Sequence, residues 1–279
     1  MEARFEQAGL VAEQVQTACC DVHTWIGGRG PPVMLLQGFG GDALVQWDQQ
    51  VGPFAEDHTL LVPDLVFFGA STGPPERATL ELQVEAMLGV AAARGIERFD
   101  VVGVSYGGLV AWWMAVTAPE RVRRLVLVDS PGTAFDAGDL GALLEHYGVD
   151  STAELLLPDQ PDDIPRLMSL VEPRPPRLPG VVLRDVHDVM FTTQVEEKRA
   201  LLDDLLGRMA DAPDLPVPQQ PTLLVWGEHD RVFPLPIAHR LLERLPDAEL
   251  VVVEGALHGP NVSHPDAFNA AVTPFLSGR

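Results

Sequence analysis

The stretch Gly103-Val104-Ser105-Tyr106-Gly107-Gly108 decides the fold, because it has the form G-x-S-x-G and lies between two patterns of different period. The apolar run 101–104 before it predicts a buried strand, and a helical pattern follows over residues 106–118. At such a junction a sharp turn lifts the serine hydroxyl clear of the sheet, and the flanking glycines avoid collisions in the bend. The sequence therefore predicts a nucleophilic serine at position 105.

Apolar runs like the one before Ser105 recur along the chain, at residues 33–36, 60–62, 125–128, 223–226 and 250–253. They are apolar on consecutive positions, which suits parallel strands covered on both faces. Helical patterns at 80–94, 235–245 and 266–276 alternate with them, so the fold class is α/β, with a mostly parallel sheet flanked by helices. Residues 14–25, which run on to Gly27, Gly28 and Gly30, predict an antiparallel hairpin at the sheet edge.

The alternation stops after Asp129, and residues 131–220 show helical or proline-rich segments without a convincing strand. Helices are predicted at 140–147, 153–157, 164–171, 181–190 and 195–209, separated by prolines between 173 and 179. We therefore expect a core domain of residues 1–130 and 221–279 and an inserted helical cap at 131–220. Side chains that could line a pocket beneath the cap, or form the cap's own core, are Phe135, His146, Tyr147, Met168, Met190 and Phe191.

A serine hydroxyl at neutral pH needs a base within hydrogen-bond reach. Of the eight histidines, His229, His258 and His264 lie near the ends of the last predicted strands. His258 is the best candidate, because strand 250–253 runs into the glycine-flanked loop that carries it. His264 precedes Pro265 at a helix start, where a solvated or capping histidine is the expected interpretation.

The histidine must itself be oriented by a carboxylate, and two aspartates compete for that role. Asp230 follows strand 223–226 at Gly-x-x-Asp spacing, and the order Ser105, Asp230, His258 is that of nucleophile, acid and histidine in folds of this kind. Asp129 ends strand 125–128 and is the alternative. The spacing favours Asp230, in which case Asp129 is expected to anchor the loop that enters the cap.

These motifs together resemble the α/β-hydrolase superfamily over nearly the whole chain. The resemblance is carried by residues 35–41, 63–65, 103–108 and 227–230, and by Pro234, His258, Pro265 and Phe268. Within the superfamily, residues 63–69 and 226–234 are similar to a plant and bacterial branch close to monoacylglycerol-lipase-like esterases.

The resemblance implies an oxyanion hole formed by the backbone N–H groups of Phe39 and Tyr106. The family commonly has histidine where this chain has Gln37, so the support of that loop is expected to differ. Without the resemblance, the glycine-rich segment after strand 33–36 would be an ordinary strand-to-helix turn.

The expected chemistry is cleavage of a carboxylic ester through an acyl-enzyme on Ser105, with His258 as base and Asp230 as orienting acid. Serine at this position argues against relatives that use a carboxylate nucleophile. The same triad would serve a C–C bond hydrolase, a lactonase or an acyltransferase, so these remain alternatives. A non-catalytic ligand-binding protein is a third possibility, which the three triad candidates together disfavour.

Composition limits the partners. With 19 Lys and Arg against 40 Asp and Glu, the formal net charge is −21, which disfavours nucleic acid and anionic membrane surfaces. No signal peptide or bilayer-spanning run is found, so a cytoplasmic protein acting on a small ester or acyl substrate is expected, without cofactor or metal. The only cysteines, Cys19 and Cys20, are adjacent and are predicted to be reduced thiols on a strand. Oligomeric state is not readable from the sequence.

Overall fold

The structure is a computed structural model that describes residues 1–208 and 215–278. Its strands form one sheet in the order β1-β2-β4-β3-β5-β6-β7-β8. Their bounds are β1 Val11–Gln16, β2 Asp21–Gly28, β3 Pro32–Leu36, β4 Thr59–Pro63, β5 Phe99–Val104, β6 Val122–Val128, β7 Thr222–Gly227 and β8 Ala248–Val253. The pairs β1–β2 and β2–β4 are antiparallel, and all other neighbouring pairs are parallel. The predicted α/β sheet and its antiparallel edge hairpin are confirmed.

Helices cover both faces of this sheet. Outside the β6–β7 connection they are α1 Glu2–Gln7, α2 Ala43–Trp47, α3 Val51–Ala55, α4 Leu80–Ala93, α5 Tyr106–Thr117, α11 Leu235–Arg244, α12 Pro260–Ser263 and α13 Pro265–Leu276. Between β6 and β7 they are α6 Ala137–Tyr147, α7 Thr152–Leu156, α8 Ile164–Met168, α9 Gly180–Met190 and α10 Val195–Arg208.

The consecutive apolar residues of β3 show why its run is unbroken. Met34 and Leu36 pack into the core on the side of α4 and α5. Val33 and Leu35 point the other way, into the core that contains Trp47. Because successive side chains of a strand point to opposite faces, a strand covered on both sides must be apolar at every position. The edge strand β8 departs from this expectation, since Val252 is 39% exposed.

The five helices predicted between β6 and β7 are all present, with ends that differ by one to a few residues. Helix α6 begins at a capping box in which the Asp136 carboxylate accepts from the Asp139 N–H, and it ends at Gly148 with φ +62°. Helix α8 stops at Met168, short of the predicted residue 171. The predicted last residue of the final helix, Met209, lies outside the described residues. That these helices form a separate cap domain remains a prediction.

One local prediction was wrong. Cys19 and Cys20 are free thiols, as expected, but they lie in the turn between β1 and β2 and not on a strand. The Thr17 hydroxyl fixes this turn, because it accepts from the Cys20 N–H (3.0 Å) and donates to the Cys20 carbonyl (3.0 Å). Over the residues that the structure describes, no helix is long and apolar enough to cross a membrane.

Candidate active site

Ser105 occupies a strained turn between β5 and α5. Its φ of +52° is uncommon for a non-glycine residue, and its N–H donates to the Val128 carbonyl at 2.8 Å. A Cβ at Gly103 would lie 2.3 Å from the Gly107 carbonyl oxygen, and one at Gly107 would lie 2.4 Å from the Gln37 carbonyl oxygen. The tight bend therefore requires glycine at both positions, as the sequence motif predicts.

His258 lies in the loop after β8 and meets Asp230 from the loop after β7. Nδ1 of His258 is 2.9 Å from Oδ2 of Asp230, and both side chains are buried. The other Asp230 oxygen accepts from the N–H groups of Val232 (2.7 Å) and Phe233 (3.1 Å). Since backbone donors hold one oxygen, the other is fixed toward the imidazole.

The pKa of His258 is raised above its ordinary value. Burial alone would lower it, but the charge of Asp230, the hydrogen bond to Asp230 and the charge of Asp129 together outweigh burial. The site is therefore built to stabilise an imidazolium, which is the state that a general base reaches after it takes a proton.

Asp129, the competing acid, lies in the same cluster. Its Oδ2 is 3.9 Å from Nδ1 of His258, beyond hydrogen-bond distance, while Asp230 makes the close contact. Asp129 Oδ1 accepts from Gly227 N–H (2.8 Å), and Oδ2 accepts from Gly259 N–H (2.6 Å). These bonds hold the end of β7 and the loop after β8, whereas the loop after β6, which Asp129 was expected to anchor, receives neither of them.

The cluster of Asp129, Asp230 and His258 is compact enough for a metal ion, since its candidate ligand atoms lie within 4.8 Å of one another. Each of the four carboxylate oxygens, however, already accepts a hydrogen bond from a backbone N–H or from His258. Because all four oxygens already have a hydrogen-bond partner, we do not assign these side chains as metal ligands. The neighbouring His229 points into solvent, with 61% of its side chain exposed.

Ser105 and His258 border one cavity of about 110 Å³. Phe39 and Tyr106 also line it, so the structure brings four of the five predicted site residues to one cavity, and the fifth, Asp230, lies behind His258. The rest of its wall is mostly apolar and includes Leu109, Trp113, Phe135, Leu143, Leu155, Leu202 and Phe233.

Comparison with known proteins places this geometry in a family. The family model described as alpha/beta hydrolase fold matches residues 31–177, and one described as TAP-like protein matches residues 208–278. The chain belongs to the alpha/beta hydrolase fold family. The expected superfamily is thereby confirmed, and the chain is a hydrolase.

Proteins similar to this alpha/beta hydrolase carry the names of different hydrolases. The 2-hydroxymuconate semialdehyde hydrolase of Pseudomonas putida is 29% identical over 90% of this chain and 88% of its own length. A bacterial membrane phospholipase A is similar in structure, with a TM-score of 0.79 and 27% identity over 99% of this chain and 89% of its own. An esterase from Thermogutta terrifontis has a TM-score of 0.76 over 96% of this chain and 98% of its own; at 22% identity it shows the fold alone.

A second cavity in this hydrolase shares Phe39 as a lining residue with the cavity at Ser105. Phe39 packs edge-on against Tyr106 (5.3 Å between ring centres) and against Phe68 (5.0 Å), and it lines both cavities. Of the six side chains expected to line a pocket or form the core of the cap, three border these two cavities, and His146, Tyr147 and Met168 border neither. Phe135 lines the cavity at Ser105, whereas Met190 and Phe191 line the second one.

The second cavity contains a buried lysine that sequence reasoning missed. Lys198 is 3% exposed and donates to the carbonyls of Met190 (3.2 Å) and Thr193 (3.0 Å). Its ammonium lies 5.4 Å from the centre of the Phe68 ring, and burial lowers its pKa. Among the described residues it forms no ion pair. In the sequence, Lys198 looks like any charged residue on the polar face of an amphipathic helix, so nothing there indicates that it is buried.

Two polar links support the loop that carries Phe39, and only one of them involves a residue noticed in the sequence. Gln37 is fully buried; oriented to satisfy its neighbours, its amide donates to the Pro63 carbonyl (3.1 Å) and accepts from the Leu65 N–H (2.9 Å). The other link is Gln46, whose side-chain oxygen accepts from Gly38 N–H (3.2 Å) and whose amide donates to Asn261 (3.2 Å) of α12, which follows His258.

We expect Gln37→Leu to lower the free energy of unfolding by about 1–3 kcal/mol, because it leaves a buried N–H and carbonyl unpaired. It should also lower kcat about tenfold, since Phe39 would be held less firmly. Urea unfolding and ester kinetics measure the two effects.

Gln83→Leu is the matched control for this variant. Gln83 is also fully buried and bridges the N–H and carbonyl of Val66 (2.8 Å each), but it does not line the cavity at Ser105. It should lose similar stability with little loss of kcat. Equal losses of kcat in both variants would contradict a role for Gln37 in supporting the loop.

Proposed function

We propose that this hydrolase cleaves carboxylic esters of short, neutral acyl groups through an acyl-enzyme on Ser105. The carrying observation is the apolar cavity that Ser105 and His258 border together. Its volume of about 110 Å³ is somewhat smaller than the roughly 150 Å³ of an apolar cavity that holds benzene, so a short acyl chain fits best.

In the first half-reaction, Ser105 Oγ attacks the ester carbonyl and His258 takes the hydroxyl proton. Because Nδ1 of His258 faces Asp230 at 2.9 Å, Nε2 is the nitrogen left to accept that proton. The backbone N–H groups of Phe39 and Tyr106 are proposed to donate to the oxyanion. The imidazolium then gives its proton to the departing alkoxide, which leaves as the alcohol.

The second half-reaction releases the acid. His258 removes a proton from water, and the hydroxide formed attacks the acyl carbonyl of Ser105. Collapse of the tetrahedral intermediate breaks the bond to Oγ, and the proton returns from His258 to the serine. The net reaction consumes one water and yields one carboxylic acid and one alcohol.

Arg208 supports the preference for neutral acyl groups. It is the cation at the wall of this cavity, but its guanidinium is bound by Glu81 (2.6 and 2.7 Å) and by Asp204 (2.8 and 3.0 Å). Two carboxylates already compensate its charge. A substrate carboxylate brought into this cavity would lose its hydration without gaining a free cation.

A C–C bond hydrolase is the second candidate. It is favoured by the relative from Pseudomonas putida, whose substrate is by name a muconate derivative and therefore an anion. Lys198 also supports it, because this buried cation lines the second cavity and forms no ion pair with any residue that the structure describes. Such a substrate would place its carboxylate near Lys198 and its carbonyl at Ser105.

Matched p-nitrophenyl esters separate the two candidates. We expect kcat/KM for p-nitrophenyl hexanoate to exceed that for the mono-p-nitrophenyl ester of adipic acid about 100-fold or more, because only the second carries a terminal carboxylate into the cavity. Within the neutral series, kcat/KM should be highest at four to six carbons and fall at twelve.

The control is Lys198→Met, which removes the free cation and leaves the cavity at Ser105 intact. The ester proposal expects the same preference for neutral chains in this variant. A wild-type preference for the carboxylate that Lys198→Met abolishes would instead support an anionic substrate. Labelling of Ser105 by a fluorophosphonate without turnover of any ester would also shift the assignment to the second candidate, and absence of both would indicate a non-catalytic protein.

A further inference from the structure

Asp129 is a buried carboxylate that the mechanism above does not use. It ends β6 with φ +42°, a left-handed conformation that is uncommon outside glycine, and its side chain is fully buried. Its N–H donates to the Val225 carbonyl of β7 at 3.0 Å. The left-handed backbone and the burial of a carboxyl group both cost free energy of folding. We therefore expect Asp129 to have a role beside the proposed base.

Its two oxygens join the loops that carry the other members of the cluster. Oδ1 accepts from the Gly227 N–H (2.8 Å), three residues before Asp230, and Oδ2 accepts from the Gly259 N–H (2.6 Å), next to His258. One carboxylate therefore fixes the separation of acid and base. A Cβ at Gly227 would lie 2.2 Å from the Leu257 carbonyl oxygen, so the two loops are also in direct contact there.

The charges of the cluster are coupled. Burial raises the pKa of Asp129 well above its ordinary value, the charge of Asp230 raises it further, and His258 opposes both. Asp230 and His258 are the charged groups that act on Asp129, and Asp129 in turn helps to raise the pKa of His258. An imidazolium at His258 therefore lies beside two carboxylates, one at 2.9 Å and one at 3.9 Å from Nδ1.

We propose that Asp129 is a positioning residue of the hydrolytic reaction that holds the loops of Asp230 and His258 together, and that it is a reserve acid able to orient His258 when Asp230 is replaced by a residue without a carboxylate. This inference rests on the proposed function. The Asp129 oxygen that would take over is Oδ2, which already lies 3.9 Å from Nδ1 of His258.

The pH profile of Asp129→Asn is the first test. The base must be neutral to accept a proton, so kcat/KM rises as His258 deprotonates. Removing the Asp129 charge should lower the pKa of His258 and move this rising limb to lower pH. We expect kcat to fall about tenfold and KM to change less than twofold.

Asp100→Asn is the matched control. Asp100 is a fully buried aspartate of β5 that pairs with Arg123 (2.9 Å) and does not line the cavity at Ser105. Its loss should lower stability without moving the pH profile. An unmoved profile in Asp129→Asn, or an equal shift in Asp100→Asn, would overturn the positioning role.

A double-mutant cycle with Asp230→Asn tests the reserve role. A carboxylate with a purely structural task would cost the same factor in either background. As a reserve acid, Asp129→Asn should cost about tenfold in wild type and about 100-fold or more when Asp230 is already asparagine. Equal costs in the two backgrounds would refute the reserve acid.

NMR titration of His258 tests the role of Asp129 without requiring any turnover, so its result does not depend on the proposed function. If wild type neither turns over esters nor labels at Ser105, the proposed function fails, yet the titration of His258 still reports on Asp129. We expect its pKa above the ordinary value of about 6.5, lower in Asp129→Asn and unchanged in Asp100→Asn. Should Asp129→Asn not fold, Asp129→Glu tests the same role, because it keeps the carboxylate but displaces its oxygens from the N–H groups of Gly227 and Gly259. We expect kcat to fall in this variant, and a wild-type kcat would count against the positioning role.

Discussion

Ser105→Ala should reduce kcat on p-nitrophenyl butyrate by about 10⁴- to 10⁶-fold, because loss of the nucleophile removes the covalent route and leaves only binding and oxyanion stabilisation. The variant should still bind substrate with similar KM. Its Tm should match that of wild type, since the described contacts of Ser105 that hold the turn are made by its backbone. Stopped assays and a thermal unfolding scan measure these quantities.

Ser130→Ala is the control for this loss. The Ser130 hydroxyl is buried and has no hydrogen-bond partner in the described part of the chain. Ser130 also lies close to the turn of Ser105, since a Cβ added at Gly108 would be 2.4 Å from the Cβ of Ser130. Its removal should leave kcat within a few fold. Substantial activity in Ser105→Ala, or fluorophosphonate attachment to another residue, would refute the assignment of the nucleophile.

Asp230→Asn should lower kcat about 10²- to 10³-fold, because loss of an orienting acid alone costs about 10⁴-fold and the reserve role proposed for Asp129 offsets part of that loss. Asparagine has the same shape as aspartate, but its side-chain NH₂ group can face Nδ1 of His258. Nδ1 must then accept a hydrogen bond, which places the ring proton on Nε2, the nitrogen that should accept the proton of Ser105. The hydrogen bonds from the Val232 and Phe233 N–H groups can persist on the remaining oxygen. The fold should therefore be retained while the proton transfer is impaired.

The ranking of the two aspartates is the decisive comparison. Asp129→Asn should lose about tenfold, which is much less than Asp230→Asn, because its oxygen is 3.9 Å and not 2.9 Å from Nδ1. The reverse ranking would show that Asp129 is the working acid and that Asp230 is the supporting one.

The sequence was sufficient for the parts of the fold that repeat a strong local pattern. Buried parallel strands must be apolar at every position, so β3 to β7 could be recognised, and the glycines around Ser105 followed from the tight bend. Helices α1, α2, α3 and α12 were missed, since segments of four to six residues are too short to show a helical period. Their stability comes from packing, as with the fully buried Trp47 of α2.

The sequence motifs name the residues that the structure brings together in the candidate active site, but they do not predict the hydrogen bonds between them. Asp129 and Asp230 both follow strands that end at the same edge of the sheet. Which of the two carboxylates lies nearer to Nδ1 of His258 depends on the conformation of the loops. The bonds from Gly227 and Gly259 to Asp129 involve backbone N–H groups, which leave no mark in the sequence. Lys198 and Asn261 are likewise ordinary polar residues until the fold buries them.

Phe39 lines two cavities, of about 110 Å³ and 300 Å³. The group proposed to meet the oxyanion is the main-chain N–H of that residue, so the ring can change while the donor stays. A smaller side chain there would leave more room beside Ser105 and admit bulkier molecules. Adaptation to new nutrients could thus proceed at one codon, without disturbing the chemistry next to it.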